Sequence, residues 1–327
     1  MKNYMINLQL FANTVQTTLL DGLSVEMKTF YDMTLIDEAS AALVHDQFGQ
    51  KRPIPKNGGK TIEFRKFASL PKATTALTEG VTPDGKSLTV TKIEATVKQY
   101  GDYITQSDVL ELTSLDNTIL EATKLLGRQA GLTLDTIVRD ILQSNTNVTY
   151  CPKKDGTAVT SRATLTNDCQ LTVDVINQVV AKLRAQNAPT INGKYVAIIH
   201  PYVAYDLMTD PAWQDAHKYC KPENMYEGEI GEIGGVRFVQ TSEAKIYDGG
   251  VFGTLIFGEG AYGVTEITGG GLQTIVKQKG SAGTADPLDQ RSSVGWKAIK
   301  TAEILIPNYI VRVESKSAVF SATATEN

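Results

Sequence analysis

The sequence is poor in cysteine and histidine, has no long apolar run, and carries no excess of positive charge. Three cysteines, Cys151, Cys169 and Cys220, form no Cys-x-x-Cys pair and have no histidine pair beside them, so neither a zinc site nor a disulfide framework is expected. No stretch of 18 or more apolar residues occurs, and no segment is expected to span a membrane. The opening MKNYMINLQLFA holds one lysine, and Asn7 and Gln9 interrupt its apolar stretch, which is too polar for a signal-peptide core. Lysine and arginine total 32 against 36 Asp and Glu, a formal net charge of -4, and the sequence pI is about 5.5. That balance lacks the footprint of a tight nucleic-acid binder, so any such contact is expected to be weak or local. A soluble protein made inside a cell is the simplest expectation.

What is present is ample apolar material, 42% of 327 residues, enough to bury one large core or two ordinary ones. Between Leu20 and Phe48 apolar residues recur at helical spacing but are broken by Gly22 and Thr34, as in short helices joined by turns. KTIEFRKF, from Lys60, alternates Ile62 and Phe64 with charged neighbours, a strand with one wet face. Residues 68–90 are rich in Thr, Lys, Pro and Gly, include Pro83-Asp84-Gly85, and offer almost nothing to bury. Alternation resumes through Ile93, Ala95 and Val97, so 60–103 reads as a two-stranded arm with a polar tip, too long to stand without something to lie against.

Residues 118–143 carry the strongest helical signal, with Ile119, Ala122, Leu126, Ala130, Leu134, Ile137 and Ile141 at three-and-four spacing. At 1.5 Å per residue the helix spans about 39 Å. Thr118 and Glu121 match a capping box. Gly127 and Gly131 each cost about 1 kcal/mol in a helix interior, which predicts that another backbone approaches there. A second helix is expected over 173–187, a buried strand over 195–200, and a helix opening at Pro201. Six strand-like stretches follow between 236 and 315, separated by Gly, Asp and Pro. The fold class expected is α+β with two lobes.

A search for chemistry finds little. GEIGEIGG (228–235) has the glycine density of a phosphate loop, but a strand-like VRFVQT follows it where a helix is required, and no Gly-Lys-Ser/Thr is present. Its glutamates would repel phosphate, so a turn feeding a strand is the better reading. His200, between a buried strand and Pro201, stands where an α/β enzyme places a catalytic group, yet no GxSxG elbow or second histidine at ligand spacing accompanies it. A capping or structural histidine is favoured. Asp210, Asp215 and His217 fit no metal-binding spacing, and Trp213 reads as an anchor. The local excess of positive charge is Lys51, Arg52, Lys56, Lys60, Arg65, Lys66 and Lys72, a solvated face or a contact for an acidic neighbour. No catalytic constellation and no cofactor are expected.

Several longer motifs, in one order along nearly the whole chain, carry a resemblance. They are MINLQLFA, EMKTFYD (26–32), DQFGQKRPIPKNGGKTIEFRKF (46–67), YVAIIHPYVAYDLMTDPAW (195–213), GEIGEIGGVRFVQTSEA (228–244) and GTADPLDQRSSVGWKA (283–298). Together they resemble tailed-bacteriophage major capsid proteins of the Hong Kong 97-like fold, within them the N-four-like family. The resemblance implies an N-terminal arm with short helices (1–59), an extended loop (60–103) and a peripheral domain (104–164) whose spine helix is 118–143. It further implies an axial domain (165–270) and return strands to the peripheral domain with a C-terminal tail (271–327).

The function implied is self-assembly, as hexamers and pentamers, into an icosahedral head enclosing double-stranded DNA without reading its sequence. The chain would thus be found in the virion, after assembly in the host cytoplasm. Contacts to neighbouring subunits are expected through the N-terminal arm and the loop, at Arg65, Lys66, Leu70, Pro71, Lys72, Glu79 and Lys86. The short stretch before Glu26 leads to the expectation of a separate scaffolding protein, besides a portal protein. Neither Lys72 nor Lys86 matches a crosslinking motif, so a non-covalent shell is expected. Two other readings stay open here: an encapsulin-like compartment of the same fold holding protein cargo, and a nucleotide-binding enzyme built on the glycine run.

Overall fold

A computed structural model describes residues 33–36, 38–39, 43–67, 70–77, 79–80, 82, 84–114, 118–220, 231–281 and 286–327. MINLQLFA and EMKTFYD lie outside the described residues, as do the helical pieces expected before residue 33. Among the described residues the fold combines helices with three sheets. In a seven-stranded sheet the order is β5 (Val148–Tyr150), β14 (Ile310–Lys316), β10 (Val251–Phe257), β6 (Tyr195–Ile199), β8 (Val236–Gln240) and β7 (Glu232–Ile233), with β9 (Ile246–Tyr247) also on β10. β6 and β8 run parallel, joined by helices Pro201–Thr209 and Pro211–Cys220.

VFGTLIF of β10 is buried at every position because both faces of its sheet are covered, which is why it reads as a continuous apolar run. Alternate residues of β6 go to opposite sides. Tyr195, Ala197 and Ile199 join a core with Val175, Ile176 and Leu183 of helix Val173–Ala185. Val196 and Ile198 face Val138 and Leu142, at the end of the long helix Thr118–Gln143.

A five-stranded sheet is organised around β13 (Arg291–Ile304). One edge of β13 pairs with β4 (Lys98–Ser107), the other with β12 (Gln273–Lys277) and β11 (Tyr262–Glu266), and β1 (Gln50–Lys51) extends β11. Val294, Trp296 and Ala298, two residues apart, pack on Leu126, Ala130 and Leu134 of the long helix. That helix has the span predicted. The capping box does not form as read: Thr118 is the first helical residue, its hydroxyl donates to Gln106, and Glu121 pairs with Lys124.

The two helical glycines are explained by close approach. A Cβ on Gly131 would lie 2.4 Å from the carbonyl oxygen of Ala39, and one on Gly127 would lie 2.8 Å from that of Leu35. Backbone cannot swing aside as a side chain can. Gly131→Ala should therefore destabilise the subunit despite a helix-propensity gain of about 1 kcal/mol, since overpacking costs roughly 1–3 kcal/mol. Chemical denaturation checks this; a rise in stability would show that residues 33–39 do not press on the helix as described.

The third sheet is the arm, β2 (Thr61–Phe67) antiparallel to β3 (Val90–Thr96). Its base is held by Phe64 and Ala95 against Leu305. Two sequence boundaries shift. Residues 98–103 leave the arm, because β4 pairs with β13 along its whole length. The partition at 270 is crossed in both directions: β11 lies in the sheet of β13, and β14, expected among the strands returning to the peripheral domain, sits inside the seven-stranded sheet. Strand partnership is set by long-range hydrogen bonding, and a run of alternating residues does not name its partner.

Candidate assembly surface

Gly234, Gly235, His200, Asp210 and Trp213, marked by the sequence for possible chemistry or as an anchor, each make a structural contact. Gly234 and Gly235 both have positive φ and connect β7 to β8 as a two-residue hairpin turn, with Ile233 paired to Val236. Residues 228–230 lie outside the described residues; the turn feeds β8, a strand, where a dinucleotide-type phosphate loop would be followed by a helix. Asp210 accepts from the backbone N–H of Val173 and of Ala212, tying together the starts of two helices. Trp213 is buried edge-on against Phe238, the anchor expected. Cys151 and Cys169 are buried free thiols, and burial, helped by the nearby Cys169, pushes the Cys151 thiol well up and leaves it inert. Among the described residues no cluster of three His, Cys, Asp or Glu could hold a metal, and no helix is long and apolar enough to cross a membrane.

His200 is an N-cap: its Nδ1 accepts from the N–H of Tyr202 at 3.2 Å while the ring packs on Phe252. Burial lowers its pKa from 6.5 to about 4. The unfolded chain therefore takes up a proton at higher pH than the folded one. The stability that goes with neutral His200 is present above about 6.5 and is lost as pH falls from there through about 4. Thermal melts across that window should show this loss, and His200→Asn, which keeps a capping acceptor without a titrating ring, should flatten it. An unchanged slope in the variant would assign the pH dependence to other groups.

The candidate contact residues all lie on the arm and all are exposed: Arg65, Lys66, Leu70, Pro71, Lys72, Glu79 and Lys86. Arg65 and Lys92 approach Glu63 at 3.8 and 3.3 Å, pairs in solvent worth under about 1 kcal/mol each. The sequence predicts a polar tip, yet it presents Leu70, Leu77 and Leu88, with Leu77 77% exposed. No described tip residue between Leu70 and Leu88 is buried or half-buried. The arm brings its residues together on one projection, not into a pocket.

A second exposed apolar surface escaped sequence reading. β4 pairs among the described residues with β13 alone, and no described strand takes its other edge. The helix that follows, Asp108–Thr113, exposes Val109, Leu110 and Leu112, and the long helix exposes Leu125. Between β4 and the outer face of the long helix runs a groove of about 490 Å³ lined by Tyr100, Leu125, Arg128, Leu132 and Ile137 among others. Leu125, Arg128 and Leu132 lie on the flank away from the core residues Leu126, Ala130 and Leu134; only that core stripe has the clean three-and-four signature that periodicity detects.

Residues 90–309 match a family model described as phage capsid protein. Among solved structures the chain is similar to the cyanophage Pam1 capsid (TM-score 0.67, 13% identity, 86% of this chain and 92% of that one). It is also similar to the capsid of cyanophage P-SCSP1u (TM-score 0.65, 14% identity, 84% and 88%) and to that of Ralstonia phage GP4 (TM-score 0.62, 15% identity, 84% and 88%). No curated protein sequence matches the chain.

Proposed function

Because the chain belongs to the phage capsid protein family and is a structural subunit of a capsid shell with the Hong Kong 97-like fold, we propose that its copies close into the icosahedral head of a tailed bacteriophage by laying each arm across a neighbouring copy. The observation that carries this is the arm itself: a two-stranded projection whose tip leucines are covered by no described residue of their own chain. A heterologous contact of this kind repeats around a ring, and many weak contacts per subunit sum to a stable shell.

In this reading the peripheral unit is the sheet of β13 with the long helix, and the axial unit is the seven-stranded sheet with its helices. Arg65, Lys66, Leu70, Pro71, Lys72, Glu79 and Lys86 are arm contacts. The head encloses double-stranded DNA without gripping it, as the net charge of -4 suits. Assembly proceeds in the host cytoplasm with separate scaffolding and portal proteins, and the shell is non-covalent. Within the family the chain is read as N-four-like, on the ordered motifs of its sequence.

Electron microscopy of the purified protein under assembly conditions tests the proposal. Closed particles are expected; monomers or small discrete oligomers under every condition would overturn it. Particles from infected cells that contain protein cargo and no DNA would favour the compartment reading.

A further inference from the structure

Cys151 and Cys169 are separated by a loop, yet both come to rest on one edge of β14. β5 runs parallel to β14 with Tyr150 opposite Glu314, and the next ladder bond is kept: the N–H of Cys151 donates to the carbonyl of Glu314 at 3.0 Å. In that register the following bond belongs to the Lys316 N–H and the Cys151 carbonyl. It is made instead to the carbonyl of Cys169, at 2.9 Å. The chain leaves the ladder at Pro152, runs out through residues 152–168, and returns to put Cys169 where Cys151 would have continued the pairing.

Two backbones that bring a carbonyl to one spot are close neighbours. A carbonyl oxygen lies about 2.4 Å from its own Cα, which sets the Cα atoms of Cys151 and Cys169 within roughly 6 Å of each other. Disulfides need about 4.4–6.8 Å. The side chains converge as well: both are fully buried, and both belong to the core shared with helix Val173–Ala185, on one side of the seven-stranded sheet. The Cys169 thiol is near enough to oppose ionisation of Cys151.

We infer that Cys151 and Cys169 are a disulfide-forming pair, joined within one chain when the folded protein meets a low-molecular-weight disulfide such as oxidised glutathione. The bond does not depend on the shell reading, which supplies only its timing, since a particle released from a cell leaves a reducing compartment.

Cys169 reacts first. Burial holds the Cys151 thiol protonated, whereas Cys169 follows the exposed Asn167 and Asp168, and its Sγ accepts from the N–H of Thr166 at 3.4 Å. Its sulfur attacks the small disulfide, one thiol leaves with the proton that Cys169 gives up, and a mixed disulfide remains. The Cys151 sulfur then attacks that of Cys169 and expels the second thiol, which takes the Cys151 proton. The two cysteines lose two electrons, and the small disulfide gains them.

Opening of the loop limits the rate. Among residues 152–168 Leu165 alone is buried, and Arg162 holds them to Glu314 of β14 through bonds of 2.8 and 2.6 Å. Closed, the fold keeps both sulfurs from solvent and the thiols inert; a segment that buries so little opens well below the cost of global unfolding. The bond then pins it to β14.

The whole chain carrying Cys220→Ser, which removes the third thiol, is held with oxidised glutathione in urea just below its unfolding transition. It is then unfolded, alkylated and mapped without reduction. The expected product is lighter by two hydrogen atoms than the reduced chain, with tryptic peptides 140–153 and 163–182 joined. Adding Cys151→Ser should trap a glutathione adduct on Cys169, and Cys169→Ser in its place should slow adduct formation at least tenfold. The bonded chain should unfold at higher urea than the reduced one. Two thiols still free to alkylate, linkage between chains alone, or a bonded chain that unfolds more easily would each overturn the pair. None of these readouts involves particles, so failure here leaves the shell reading standing, and a chain that forms no particles leaves the pair standing.

Discussion

Deleting Pro71–Gly85 should yield a subunit that folds normally and makes no shells. The described residues of that segment are all exposed and lie outside every strand, so removal takes nothing from the core. β2, β3 and the anchor of Phe64 and Ala95 against Leu305 remain. Shortening the connection eases loop closure slightly, and the unfolding free energy of the dissociated subunit should stay within about 0.5 kcal/mol of wild type. Assembly should respond differently. Covering a side chain such as Leu77 contributes roughly 1.5–3 kcal/mol, a factor of about ten to a hundred per contact. That loss recurs at every subunit of a closed shell and multiplies in the concentration at which particles appear. Size-exclusion chromatography and electron microscopy read assembly, and urea denaturation reads folding. A tip of the same length and scrambled order controls for chain length. Normal particles from the deletion would refute the arm's role.

The largest effect on folding is expected from Asp135→Ala, at about 3–5 kcal/mol, the combined cost of leaving several hydrogen-bonded groups without their acceptor in the interior. Asp135 is fully buried on the long helix. Its Oδ1 accepts from the N–H of Val44 at 2.8 Å and of His45 at 2.7 Å, and Oδ2 lies 2.7 Å from His45 Nδ1. On the far side, Tyr262 of β11 donates to the carbonyl of His45, and Lys300 of β13 lies 2.9 Å from Asp46. Residues 44–46 are thus a hinge pin joining the helix to two strands of the five-stranded sheet. Truncation leaves two backbone N–H groups and an imidazole buried with no acceptor, each a desolvation cost that nothing offsets. Asp135→Asn keeps the volume and one carbonyl acceptor and should lose less. Denaturation midpoints of the dissociated subunits measure both. A change under about 1 kcal/mol for Asp135→Ala would match the exposed Glu63 pairs and would show that the pocket admits water.

Local pattern made much of the chain legible. Thr118–Gln143 is helical because its apolar stripe has one period throughout, and the strands appear where alternation or a short apolar run is bounded by Gly, Asp or Pro. Gly127 and Gly131 were readable as a close approach because a helix interior has no other use for them, although the partner, residues 35–39, was not. Gly234-Gly235 was readable as a turn because only a strand follows it. His200 was readable as a cap from its place before a proline at the first helical position.

The sequence by itself determined the long helix and the main strands and, through ordered motifs, the phage capsid family that the match over 90–309 bears out. Only the tertiary structure decided which sheet each strand joins, that β14 returns to β10 and β4 leaves the arm for β13, and that Asp135 closes on residues 44–45 some 90 positions away. It also decided that Leu77, Leu112 and Leu125, apolar residues like those of the core, stay in solvent. Periodicity records which face of an element is apolar, a local property of backbone geometry. What covers that face depends on which other segment arrives there, and for these leucines no segment described in their own chain does.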